Sequence, residues 1–479
     1  MTGARLVVGP FNRVEGDLEV TLDVEAGRVR AARVNAPLYR GFERMLEGRD
    51  PMDALTLTPR ICGICSISQS AAAARALGAA MGISPTPEGA AMAALIHAVE
   101  NVSDHLFHFN LFFMPDFMRP AYAGRDWHRD IAARFSTADG SAQRQAMAAR
   151  AELMHILGLM AGKWPHTLAI QPGGVTRAPG LRDKMRIIAT LRGFRRYLET
   201  VVFGGAVEDF AALSDQAALL AWDGGDAGRF LRIAADLDLA ALGPGPGRLM
   251  SYGAYPLADG PVFAAGLWQA GAVRPVETGA IREDLSHAWM LGEAAHPLDG
   301  QTNPDEAMRG TAYSWCKAPR LSGQTVEVGA IARQVVDGHP LALSLAAANG
   351  GRGGVLARVG GRLLELARTQ MVMEQLAAQI DPGAPYMRHG RMPMAAEGEG
   401  LVEAARGALG HWVRIARGRI VSYQIVAPTT WNFSPRDASG QPGPLEAALE
   451  GALTGDEATP VAVQHIVRSF DPCMVCTVH

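Results

Sequence analysis

Arg60-Ile61-Cys62-Gly63-Ile64-Cys65 and Asp471-Pro472-Cys473-Met474-Val475-Cys476-Thr477-Val478-His479 hold four of the five cysteines of this 479-residue chain. In each stretch two thiols stand at i and i+3, on one side of a helical turn or tight loop, where both can grip one metal or close a reversible disulfide. A thioredoxin-type dithiol needs a single pair beside a βαβ pattern, which is missing here. A structural zinc site usually draws its pairs from a few tens of residues, whereas Cys65 and Cys473 are 408 positions apart. The remaining reading is a soft-metal centre built by bringing two distant segments together, since thiolates suit soft and borderline transition metals. Spacing alone does not choose among nickel, iron and zinc.

Around these stretches the composition is that of a globular protein, 48% hydrophobic and 19% charged, with a net charge of −3. That excludes a nucleic-acid footprint, and the lack of a run of about twenty uncharged apolar residues excludes a membrane-spanning helix. Met1-Thr2-Gly3-Ala4-Arg5-Leu6 has neither a basic nor an apolar leader character. Cytoplasmic residence is therefore expected, unless a partner chain carries an export signal. Leu18–Val24 and Val29–Val34 alternate as strands around Gly27. Helices are expected at 66–81, 90–114, 141–162, 181–202 and 362–380, with strand-like alternation returning at 413–426. The glycine-dense stretch 349–354 follows no strand and lacks a GKS or GKT ending, so it reads as a loop and not a phosphate cradle. The expected fold is mainly α with small β regions at both ends (α+β), a single domain over residues 1–479.

The two cysteine stretches resemble the signature motifs of nickel–iron hydrogenase large subunits, and further motifs follow in that family's order. They are Arg13-Val14-Glu15-Gly16, Arg40-Gly41-Phe42-Glu43, Asp104-His105 with His108-Phe109, Gly162 with Pro165-His166, Arg406-Gly407-Ala408-Leu409-Gly410-His411 and Pro428-Thr429-Thr430-Trp431-Asn432. The resemblance spans residues 13 to 479. It implies heterolytic cleavage of H2 at a centre in which Cys62, Cys65, Cys473 and Cys476 bind nickel, Cys65 and Cys476 bridging to an iron with one CO and two cyanides. Cys473 and Glu15 would take up the proton. Arg406 would roof the metals, fixed by Asp104 and Asp471, while Thr429, beside Pro428 and Ala405, would face the cyanides. Glu43, the Ile425 carbonyl and His479 would hold a structural magnesium, a set suited to a hard cation. His105 and His108 read as core or supporting histidines, and Cys316 as a buried apolar thiol.

The chain departs from the family at Ala405, usually proline. Ile64 and Phe112 stand where many relatives carry valine and leucine at the narrow end of a gas channel, which resembles the hydrogen-sensing branch. In most of the family an extension after this histidine is cut off once nickel is in place, and sensor-type members encode none. Four committed cysteines leave too few thiols for an iron–sulfur cluster at four thiolates each, so electrons must leave through a cluster-bearing small subunit. A sensor would signal to a histidine kinase, and a dimer of heterodimers is conceivable on the same resemblance. The rival readings are an energy-conserving uptake hydrogenase, a metal-free relative in respiratory complex I, which the four cysteines oppose, and a zinc-stapled structural protein, which leaves Glu15, Arg406 and Asp471 unexplained.

Overall fold

The computed structural model describes residues 4–454 and 460–479; Met1–Gly3, part of the stretch read for a leader, lie outside them. The chain opens with a three-stranded antiparallel sheet, Ala4–Val8, Glu19–Glu25 and Arg28–Asn35. Ala26 and Gly27 both take positive φ, 51° and 72°, which gives the two-residue hairpin turn whose twist matches the strands.

The helix Ser66–Met81 has the expected bounds. Its alanines serve a close approach: a Cβ at Gly398 or Gly400 of the strand Ala396–Ala404 would lie 2.0 Å from the carbonyl oxygens of Ala76 and Ala72. Gly82, at φ 66°, ends the helix in the left-handed conformation that glycine tolerates best. At its other end Cys65 is the N-cap residue. The buried Glu100 carboxylate accepts the orphan amides of Ile67 and Ser68, at 2.8 and 2.9 Å.

The helix expected at 90–114 runs instead as Pro87–Phe107, capped by the Thr86 hydroxyl. It then loosens into a π-turn, His108–Phe113, and a 3₁₀ turn, Met114–Met118. Pro115 has no amide hydrogen to continue the helix. Ser141–Ala161 agrees with expectation, while Leu181–Tyr197 also passes into a π-turn, Leu198–Phe203. The last long helix is Val355–Gln379, seven residues longer at its start than expected. The expected helix began just after Gly360 and Gly361, which the observed one contains. They are crossing points, where a Cβ at Gly361 would sit 2.8 Å from the Ile331 backbone.

The strand-like region near 413–426 is a hairpin, Gly407–Ala416 with Arg419–Val426, joined to Ala396–Ala404 in one antiparallel sheet. The paired strands Arg248–Leu257 and Gly260–Gln269 were not anticipated. The glycine-dense stretch breaks the helix Pro340–Gly351 at residues 348–350. Asn349 bonds there to the Ala240 carbonyl at 2.7 Å, so the stretch is a tied loop. One buried apolar cluster runs from Val8 to Val478, which brings the N-terminal sheet, the long helices and the segment after Ser469 together.

Candidate metal centre

Both cysteine pairs are buried, and the four Sγ atoms lie within 4.8 Å of one another. Cys62 and Cys473 are 3.4 Å apart, Cys65 and Cys476 3.1 Å, and Cys473 and Cys476 3.1 Å; all four are free thiols. Such a cluster is within reach of a single ion at about 2.3 Å from each sulfur. S–H donors from Cys473, Cys476 and Cys65 hold Cys62 far below the usual thiol range. Burial pushes Cys473 up, and Cys65 and Cys476 are also raised. A cation offsets that penalty, so this donor set fits a thiolate-bound metal.

Arg40 clips the two loops together, donating to the Ile61 carbonyl at 2.6 Å and to the Val475 carbonyl. The Arg13–Gly16 turn is stitched to the second pair: the Met474 amide donates to the Glu15 carbonyl at 2.7 Å. Gly16, at φ 82°, leaves no room for a side chain, since a Cβ would lie 3.1 Å from Met474 and Val475. Burial and then the Cys62 charge raise the Glu15 pKa, with Arg406 and Arg40 pulling the other way. Asp116, fully buried, gathers Arg13, Arg119, Arg468 and His465. Arg468 also holds the Asn12 carbonyl at 2.9 Å, so one carboxylate ties the Glu15 turn to the helix that leads to Asp471. Asp116 carries no motif signal in the sequence.

Arg406 grips Asp104 with both terminal nitrogens, and its Nε and Nη2 reach the Asp471 carbonyl at 2.9 Å and carboxylate at 3.1 Å. Burial opposes its charge, but Asp104 and Asp471 outweigh it and hold the guanidinium firmly protonated. Burial lifts Asp104 to about 7. Against burial, Arg406 and then His108 and Arg362 keep Asp471 below the usual carboxylate range. Ala405, preceding the arginine, is pinned by its carbonyl, which accepts from Arg333 at 2.9 Å. Pro428 opens the short helix Pro428–Asn432. Thr429 within it accepts the Cys473 amide at 3.2 Å, which leaves its hydroxyl hydrogen free to donate.

Glu43, Ile425 and His479 also converge. His479 Nδ1 lies 2.9 Å from the Cys476 carbonyl, while Nε2 lies 2.8 Å from the Ile425 carbonyl and 3.5 Å from Glu43. A neutral imidazole has one N–H, so it cannot donate at both nitrogens. The two ring nitrogens thus face three acceptor oxygens, an arrangement that a proton or a metal cation between them relieves. Against burial, Lys317 and then His479 and Thr302 hold Glu43 at about 2. Lys317, shared with Glu283 at 3.3 Å, was not singled out in the sequence, where nothing marks a lone lysine.

Ile64 lines a cavity of about 30 Å³ with Glu100, Asp104, Phe107 and Trp164. Phe112 is not on that wall; it meets Phe107 edge-on, with ring centroids 5.0 Å apart. His105 is bonded to Glu365 at 3.1 Å and His108 to the Arg468 carbonyl at 2.7 Å, as supporting groups behind Asp104 and Asp471. Cys316 is buried apart from the four thiols, its Sγ donating to the Lys317 carbonyl at 3.1 Å. Among the described residues no helix is long and apolar enough to cross a membrane.

The family model for nickel-dependent hydrogenase matches residues 40–137 and 141–479. The periplasmic [NiFeSe] hydrogenase large subunit of Desulfomicrobium baculatum is 29% identical, over 99% of this chain and 95% of that protein. The uptake hydrogenase large subunit of Rhodobacter capsulatus is 26% identical, over 100% and 95%. The solved Ni-Fe-Se hydrogenase from D. vulgaris Hildenborough superposes with a TM-score of 0.86 at 27% identity, covering 100% of both chains. All four positions of the thiol cluster in this chain are cysteine. With the family's motifs brought to one buried cluster, the chain belongs to the nickel-dependent hydrogenases, as a large subunit that oxidises H2 alongside a small subunit.

Proposed function

We propose that this large subunit, folded as a single unit, holds a Ni–Fe centre with one CO and two cyanides on iron, and works as a hydrogen sensor. The observation that carries the centre is the convergence of four free, buried thiols beneath a doubly anchored arginine. Such a centre supplies an open metal position at which H2 is polarised and split. The chain's own residues do the rest. Cys62 and Cys473 would hold the nickel as terminal thiolates, and Cys65 and Cys476 would be shared with the iron. Arg406 presents a fixed positive charge and donors above them, which a lysine's point charge would not reproduce. Thr429 would offer its free hydroxyl hydrogen to one cyanide, with Pro428 and Ala405 as the remaining wall. Glu15, its pKa raised by burial, would move the proton between Cys473 and solvent. Glu43, the Ile425 carbonyl and His479 would hold magnesium, a reading supported by the convergence of their donor atoms.

Infrared spectroscopy of the purified complex tests the centre. One CO and two cyanide bands that shift under H2 are expected. A blank spectrum with zinc by elemental analysis would reduce the cysteines to a staple.

The sensor role rests on Ile64 at the cavity wall, backed by Phe107 and Phe112. It implies a histidine kinase as the receiver, a dimer of heterodimers as the assembly and the cytoplasm as the place. The similarity to uptake enzymes favours a second reading, energy-conserving H2 oxidation, and the periplasmic relative favours export with the small subunit. Ile64→Val with Phe112→Leu separates them: as a sensor, the variant loses several times more of its activity on air exposure than the parent. Equal residual activity would remove the channel argument.

A further inference from the structure

Away from the metal centre, a cavity of about 610 Å³ lies between the helix Ser66–Met81, the start of Pro87–Phe107, and the 170–174 and 256–258 segments. That is the size of a small-molecule site. Its walls are apolar: Ala71, Ala74 and Ala79 on one helix, Ala90 and Ala94 on the next, with Ile83 between them. The alanines that let the helix approach the sheet on one side leave a smooth trough on the other.

Two solvent-exposed cations stand at the rim of this trough without counter-ions. Arg75 and Arg388 make no hydrogen bond or ion pair through their side chains among the described residues. Arg388 is anchored only by its backbone amide, which donates to Gly173 at 2.9 Å. The one carboxylate on the lining, Glu399, is committed elsewhere, accepting the Trp412 indole at 2.7 Å. His97 lines the cavity too, but burial holds it neutral and its Nε2 is paired with Ser68 at 2.9 Å. Guanidinium forks without a partner beside an apolar wall match a ligand with a carboxylate at one end and hydrocarbon at the other.

We propose that this cavity binds an amphipathic carboxylate, its acid on Arg75 and Arg388 and its apolar body along the alanine trough. The site stands whether or not the sensor reading does, since it uses none of the metal-centre residues. Decanoate and inorganic phosphate, each titrated calorimetrically into the large–small subunit complex, test it. Saturable one-site binding of decanoate is expected, weakened at least tenfold in Arg75→Ala and in Arg388→Ala, with no saturable binding of phosphate. Because neither side chain has a protein partner, both variants should melt like the parent and keep their H2 activity. No saturable decanoate binding, or binding unchanged in both variants, would overturn the proposal. So would phosphate binding as tightly as decanoate, because the apolar wall would then contribute nothing.

Discussion

Serine at position 62 leaves a complex without H2-dependent dye reduction and without stoichiometric nickel, whereas Cys316→Ala keeps both. The contrast comes from the environments of two buried sulfurs. Cys62 is the thiol that its three neighbours hold as a thiolate, and only the thiolate is a good ligand for a soft metal. A serine hydroxyl would stay neutral there and offer a hard, weak donor. Burial pushes Cys316 up instead, and it touches no other cysteine. Elemental analysis beside the dye assay reads both outcomes. Full H2 oxidation by Cys62→Ser would sink the assignment of the centre, and loss of activity in Cys316→Ala would bring the fifth thiol into the chemistry.

Arg406→Lys lowers turnover by about 10²–10³-fold, the usual cost of removing a placed donor from a buried reaction site. The lysine retains a charge for Asp104 and Asp471 but loses the planar fork that grips one side-on and the other end-on. Arg406→Ala goes further and leaves two buried carboxylates without their cation, which costs about 3–5 kcal/mol of stability. Turnover measured beside urea unfolding distinguishes the two effects. Unchanged turnover in Arg406→Lys would remove the roof from the mechanism. An Arg406→Ala variant as stable as the parent would mean that the acids are neutral in the fold.

Much of the site was legible because its chemistry is written in short motifs. The two cysteine pairs, Glu15, Arg406, Asp104 and Asp471 fall together around one cluster as their motifs imply. The helix Ser66–Met81 was equally plain, as an alanine run with a glycine stop. What escaped was decided by distant partners. Asp116 and Lys317 draw their meaning from arginines and carboxylates far along the chain. Gly360 and Gly361 look like a break until Ile331 is seen pressed against them. The strands Arg248–Leu257 and Gly260–Gln269 carry Gly253, Pro256 and Pro261, which weaken a local strand signal. Phe112 is displaced from the expected wall by the π-turn, which no residue there announces.

The wide separation of the two cysteine pairs also sets a timetable. Translation at about 5–20 residues per second puts roughly 20–80 s between the emergence of Cys65 and that of Cys473, 408 positions later. During that interval the first thiol pair, the Glu15 turn and Arg40 have no counterpart to close on. Any metal captured early would meet two sulfurs, not four, and zinc or copper would compete well for them. The four-sulfur site therefore exists only once the Cys473–Cys476 segment has been made and packed against the first pair.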